Sequence, residues 1–234
     1  MSTYVIPAPL QPSVAVLGTA ARFPIHRIYC VGRNYAEHAQ EMGCTGREPP
    51  FFFLKPGDAA LPAAAENTVD MPYPDLTADL HHEVELVAAI GKGGRHIPVA
   101  DALQHLWGYA VGLDMTRRDL QLVARDKGRP WDLGKDLEQS SACSEIVPMP
   151  GHVIDSGEIA LEVNGETKQK SDVNKLIWNI REIIADLSLF YHLQPGDLIY
   201  TGTPEGVGAV VPGDKITGHV AGVGEVALTV GAAE

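Results

Sequence analysis

The chain has 234 residues, 45% of them hydrophobic and 21% charged, which is enough to bury a full core as one domain. Its formal net charge of −12 argues against a nucleic-acid partner or an anionic membrane surface, and its apolar runs are too short to span a bilayer. The N-terminal stretch Met1–Pro7 has neither the basic start nor the apolar core of an export signal. Cys30, Cys44 and Cys143 form no metal-type pair, so a cytoplasmic protein with reduced thiols is predicted.

Residues 1–25, rich in Pro and Ala, read as an N-terminal arm, with residues 26–234 forming one domain. Arg27 to Val31 is a short apolar strand. Asn34 can cap a helix running to Met42, with Gly43 as its stop. His38 and Glu41 sit at i, i+3 on that helix, so their side chains can meet. A carboxylate that orients a His makes a general base, although such pairs are also common on solvated helix starts. Phe51 to Leu54 is a strand ending in the turn Lys55-Pro56-Gly57-Asp58.

The segment His81-His82-Glu83-Val84-Glu85-Leu86 reads as a strand. Residues two apart share a face of a strand, so Glu83 and Glu85 present carboxylates side by side while Val84 and Leu86 face the other way. An isolated Glu-x-Glu is most often an ordinary polar strand face. Here Trp107 to Leu113 forms a second strand that delivers Asp114, a third acidic group. Like charges so close need a cation between them, and an all-oxygen set suits Mg²⁺ or Mn²⁺ better than zinc. Pro98 to Leu106 and Thr116 to Lys127 read as helices. Arg118 and Gln121, three apart, can share a face that points back to the metal. A basic helix start runs against the helix dipole and points to a bound anion. Lys135 lies in the loop-like stretch Trp131–Asp136.

Ile159 to Val163 followed by Asn164-Gly165 is a hairpin signal. Asp172 to Leu193 reads as the longest helix, with Ile177, Ile180, Ile184 and Leu187 on one face, a packing element rather than a site. Pro-Gly-Asp at 195–197 and at 212–214 each opens a short strand. The Gly-rich run Thr201–Gly208 is neither a dinucleotide fingerprint nor a P-loop, but its hydroxyls and N–H groups can hold a carboxylate. Many short strands with few helices predict an α+β, β-rich sandwich or roll.

In order, Tyr29-Cys-Val-Gly-Arg-Asn-Tyr-Ala-Glu-His38, Phe53-Leu-Lys-Pro56, His81–Glu85, Gly108–Thr116 with Arg118–Gln121, Gly134-Lys135, and Pro195-Gly-Asp with Thr201–Gly206 resemble the fumarylacetoacetate hydrolase family, in its short acylpyruvate hydrolase branch. The resemblance implies a mixed β-sandwich roll with a few peripheral helices, a homodimer, and Mg²⁺ or Mn²⁺ in a cleft. It implies Glu83, Glu85 and Asp114 as metal ligands and His38 with Glu41 as the water-activating pair. Arg118, Gln121 and Lys135 become the polar groups around the substrate, with Thr203 and Lys55 as further contacts. The substrate implied is a 2,4-dioxo acid, fumarylpyruvate first, split at a carbon–carbon bond in aromatic acid (gentisate) catabolism. Its distal carboxylate needs a cation, for which Arg33, Arg47 and Arg129 are candidates. Longer family members carry an additional Asp ligand where this chain reads Cys30-Val31-Gly32, so three protein carboxylates are expected. Alternatives are a decarboxylase of oxaloacetate or a related 2-oxo acid, a 2-hydroxydiene-acid isomerase, and a non-catalytic ketoacid-binding protein.

Overall fold

Glycine and proline cut the chain into short strands, and two packed sheets follow from their alternating burial. The computed structural model describes residues 4–36, 47–64 and 68–233. In chain order the strands of the first half are β1 (Ser13–Val16), β2 (Thr19–Pro24), β3 (Arg27–Gly32), β4 (Phe51–Pro56), β5 (Ala60–Pro62), β6 (Val69–Tyr73), β7 (Leu80–His82), β8 (Val84–Ile90), β9 (Leu106–Asp114) and β10 (Thr116–Arg117). The second half adds β11 (Ser141–Cys143), β12 (Val147–Pro148), β13 (Glu158–Val163), β14 (Glu166–Asp172), β15 (Leu198–Tyr200), β16 (Gly208–Val210), β17 (Lys215–Val220) and β18 (Gly224–Ala233). Three α-helices are described: α1 (Arg118–Asp126), α2 (Asp132–Lys135) and α3 (Ile180–Phe190).

The larger sheet has the order β4-β3-β15-β8-β9-β11-β5, with β12 also on β9. The smaller has the order β14-β13-β17-β18-β6, and β10-β7-β16 form a short third sheet beside the site. Strand β8 is buried along its whole length. Its Val84, Leu86, Ala88 and Ile90 face the main core, where they meet Ile159, Leu161, Ile216 and Leu228 of the small sheet. Val87 and Ala89 point the other way, into a second core with Ile28, Leu198 and Tyr200. The hairpin β1–β2 contributes Val14, Val16 and Phe23 to that second core.

Two predicted helices differ from the structure. The first two residues of Thr116–Lys127 pair with β7 as β10, and the helix starts only at Arg118. The predicted helix Asp172–Leu193 is shorter, because Asp172 ends β14 and caps a single 3-10 turn. Asn179 then starts α3 with a full capping box, accepting from the Arg181 and Glu182 N–H groups while Glu182 reaches back. Ile177 therefore lies before the helix, and the buried stripe is Ile180, Ile183, Ile184 and Leu187. Residues 99–105 are helical as expected, in 3-10 form. The hairpin at Asn164-Gly165 forms as predicted, both residues left-handed at φ 53° and 78°.

Candidate active site

Strand periodicity places the acidic groups. Glu85 lies on β8 opposite Gly112 of β9, on the face away from Val84 and Leu86. Two residues further along β9 the chain delivers Asp114, whose N–H donates to the Glu83 carbonyl at 2.9 Å. Glu83, Glu85 and Asp114 are all buried, and each offers an oxygen within 4.8 Å of the others.

Three cations surround this cluster. Lys135 Nζ reaches Glu83 Oε2 at 2.8 Å and Asp114 Oδ2 at 2.6 Å. Arg118 bridges Glu83 Oε1 and Gln121 Oε1, so the anion expected at the basic helix start is Glu83 itself. Lys55 is 1% exposed and donates to Asp114 Oδ1 at 2.7 Å and to the Met115 and Ser140 carbonyls, each at 3.2 Å. Glu85 has a different partner, the Gly202 N–H at 2.7 Å. The Thr201–Gly208 loop thus does hold a carboxylate, one belonging to the protein.

Burial, then Asp114 and Glu83, push the Glu85 carboxyl well above the usual range. Burial works to lower the Lys135 pKa, but Asp114 and Glu83 outweigh it and hold the ammonium above its ordinary value. The fully buried Cys30 thiol is also pushed well up, by burial first and then by Asp114 and Glu85, so it stays protonated beneath the cluster. The donor set fits a hard divalent ion: three converging carboxylate oxygens, no thiolate, and cations that hold two of the carboxylates in place.

A cleft opens above the acidic cluster, lined by Arg33, Phe53, Arg118, Gln121, Trp131, Lys135 and Thr203 as well as the three carboxylates. Lys135 sits on α2 rather than in the predicted loop. Gly134 lets α2 approach α1, since a Cβ there would lie 2.8 Å from the Gln121 backbone N and from its Cβ. The Arg33 backbone is left-handed at φ 56°, and its guanidinium lies 5.7 Å from the Phe51 ring and 6.0 Å from the Trp131 ring. Beyond Trp131 and Phe53 the cleft adjoins an aromatic cavity of about 450 Å³ walled by Phe51, Phe52 and Pro130. Arg47 is engaged elsewhere, over the Trp178 ring and on Glu182, and Arg129 is exposed outside the cleft. His38 and Glu41 lie outside the described residues.

Sequence reasoning missed Gln169. It is the one buried residue of β14, and its neighbours in sequence are exposed. Its Oε1 faces the Val84 N–H and His82 Nδ1, each at 3.1 Å. Its Nε2 donates to Thr203 Oγ1 and to the Pro204 carbonyl, each at 2.8 Å. A buried polar residue on an otherwise solvated edge strand leaves no periodic signal.

Residues 27–231 match the family model described as fumarylacetoacetate (FAA) hydrolase C-terminal. A fumarylpyruvate hydrolase of a Ralstonia species is 63% identical over 187 residues, covering 80% of this chain and 95% of the relative. A mitochondrial oxaloacetate tautomerase of Arabidopsis thaliana is 41% identical over 205 residues, covering 87% of this chain and 90% of its own. Among solved structures, a fumarylpyruvate hydrolase from Pseudomonas aeruginosa in complex with Mn²⁺ and pyruvate superposes with a TM-score of 0.96 at 48% identity, over 98% of this chain and 100% of that one.

Proposed function

Since the chain belongs to the fumarylacetoacetate hydrolase family, we propose that it hydrolyses the carbon–carbon bond of an acylpyruvate, converting fumarylpyruvate and water to fumarate and pyruvate. The observation that carries this reading is the buried Glu83–Glu85–Asp114 cluster with Lys135 and Arg118 at the floor of a cleft. Those three carboxylates are the ligands for Mg²⁺ or Mn²⁺. When bound there, the ion supplies Lewis-acid stabilisation of negative charge on the substrate oxygens.

The rest of the chemistry falls to side chains. His38, oriented by Glu41, takes a proton from water, and the water oxygen bonds to the 4-oxo carbon. The bond to the neighbouring carbon breaks, its electron pair goes to the pyruvate half, and that half takes up a proton. Lys135, Arg118 and Gln121 line the cleft and present N–H groups to the oxygens where charge builds. Thr203 also lines the cleft and offers a hydroxyl there. Of the three arginines proposed for the distal carboxylate, Arg33 lines the cleft, so we assign it that contact. Lys55 is assigned a different task from the substrate contact expected from sequence, because all its ammonium bonds are to Asp114 and two carbonyls. It holds Asp114 in place.

Residues 26–234 are read as one catalytic domain, with residues 1–25 as an arm that includes the β1–β2 hairpin. The family resemblance further supports a homodimer acting in the cytoplasm, in aromatic acid catabolism. Among the described residues no helix is long and apolar enough to cross a membrane. The tautomerase relative favours a second reading, proton transfer on oxaloacetate without water attack. Turnover of fumarylpyruvate and of oxaloacetate, each with Mg²⁺ and with EDTA, separates the two. EDTA-sensitive release of fumarate and pyruvate supports the hydrolase, and turnover of oxaloacetate alone overturns it.

A further inference from the structure

We infer that Gln169 is a positioning residue that fixes the Thr203 hydroxyl as a hydrogen-bond donor to an anionic oxygen of the substrate. The inference rests on the acylpyruvate reading and concerns how the cleft recognises the 2-oxo acid end.

The amide can point only one way. The Val84 backbone N–H can only donate, so it must face the amide oxygen, and the Pro204 carbonyl can only accept, so it must face the amide nitrogen. With that orientation the second N–H of Gln169 points at Thr203 Oγ1, which therefore accepts. The single Thr203 proton is left over, and among the described residues Thr203 donates to no side chain or carbonyl. Thr203 is 4% exposed and lines the cleft with Glu83, Glu85 and Asp114. A buried hydroxyl that already accepts one hydrogen bond, with its proton unused and a cleft before it, can present that proton to a lone pair that enters.

The same amide uses all four of its hydrogen-bonding positions, two accepting and two donating, with 0% exposure. The His82 imidazole completes the set through Nδ1, 3.1 Å from the amide oxygen. The loop is seated by a second device. Gly206 has φ 88°, and a Cβ there would lie 2.1 Å from the Lys168 carbonyl oxygen, so a glycine is needed for the loop to press onto β14 beside Gln169. The small sheet thus sets the polarity of a hydroxyl in a cleft built on the large sheet.

Gln169→Glu separates this role from a structural one, since it keeps an oxygen for Val84 and offers at most one donor to the pair Thr203 and Pro204. The readout is calorimetric binding of Mn²⁺ to the whole protein, then of pyruvate to the Mn²⁺-loaded protein, in wild type, Gln169→Glu, Thr203→Val and the double variant. Each single substitution is expected to weaken pyruvate by about tenfold, the scale of one hydrogen bond to a charged group. The double variant is expected to be no weaker than the singles, Mn²⁺ affinity is expected to stay within about twofold of wild type, and Thr203→Ser is expected to bind as wild type. Effects that multiply in the double variant, unchanged pyruvate affinity in Gln169→Glu, or a parallel fall in Mn²⁺ affinity each overturn the inference. If Gln169→Glu does not fold, Gln169→Met gives the same cycle with both donors removed. Wild-type protein that binds Mn²⁺ but no pyruvate overturns the acylpyruvate reading itself, and this inference with it.

Discussion

Replacing Lys55 by Met would expose how the acidic cluster is held together. The ammonium is fully enclosed and its bonds end on Asp114 Oδ1, the Met115 carbonyl and the Ser140 carbonyl. Met has nearly the same length and no charge, so the variant takes the Lys55 donor from one oxygen of a buried carboxylate and from the Met115 carbonyl, while the Ser140 carbonyl keeps the Met115 N–H at 2.9 Å. Breaking a buried ion pair from one side costs about 3–5 kcal/mol. Lys135 still reaches the other Asp114 oxygen at 2.6 Å, which places the expected loss at the lower end of that range. For a chain of this size each kcal/mol moves the melting temperature by about 2–4 °C, so a fall of roughly 6–12 °C is expected in EDTA. A divalent ion that binds only the folded state restores part of the loss, because it supplies the positive charge that Asp114 has lost. The assay is urea denaturation of wild type and Lys55→Met, each in EDTA and in saturating Mg²⁺. A deficit below about 1 kcal/mol in EDTA, or a deficit that Mg²⁺ leaves untouched, refutes the reasoning.

Glu85→Ala is expected to abolish metal-dependent turnover and calorimetric Mn²⁺ binding; wild-type activity with stoichiometric metal would reject the ligand assignment. His38→Ala is expected to keep Mn²⁺ binding and lose hydrolysis by at least about a hundredfold, and normal hydrolysis would place the base elsewhere. The Glu85 carboxyl lies above its ordinary value of 4.5, through burial and then Asp114 and Glu83, so the folded state keeps a proton that the unfolded chain releases. Stability in EDTA should therefore fall as pH rises from about 4.5 through the raised value, and Glu85→Gln should flatten that slope in urea titrations across pH; equal slopes in both proteins would contradict it.

The acidic cluster was readable because its geometry is local. Strand alternation alone turns Glu83 and Glu85 to one face, and the end of the next strand brings Asp114 beside them. Arg118 and Gln121 were readable for the equivalent reason on a helix. The bonds of Lys55 to Asp114, Met115 and Ser140 were not readable, because the direction of a long side chain is set by tertiary packing, here against residues 59 to 85 positions away. Gln169 was invisible for the same reason, since its partners lie 34 to 87 positions away. The overlong helix at 172–193 was avoidable. Asn179-Ile-Arg-Glu182 is a capping-box pattern, and it marks the true start. Fold class followed from strand count and turn chemistry, whereas the sheet order, which interleaves β15 between β3 and β8, rests on pairings no local pattern encodes.

The groups around the acidic cluster come from β4, the β7–β8 junction, β9, α1, α2 and the loop after β15, and no contiguous piece of chain carries more than a few of them. The three acidic groups themselves lie on or beside one strand pair, β8 and β9, whereas the lysines that balance them arrive from β4 and α2. Lys55 and Lys135 offset the mutual repulsion of Asp114 and Glu83 from within the fold, so the orientation of these two carboxylates does not depend on an ion.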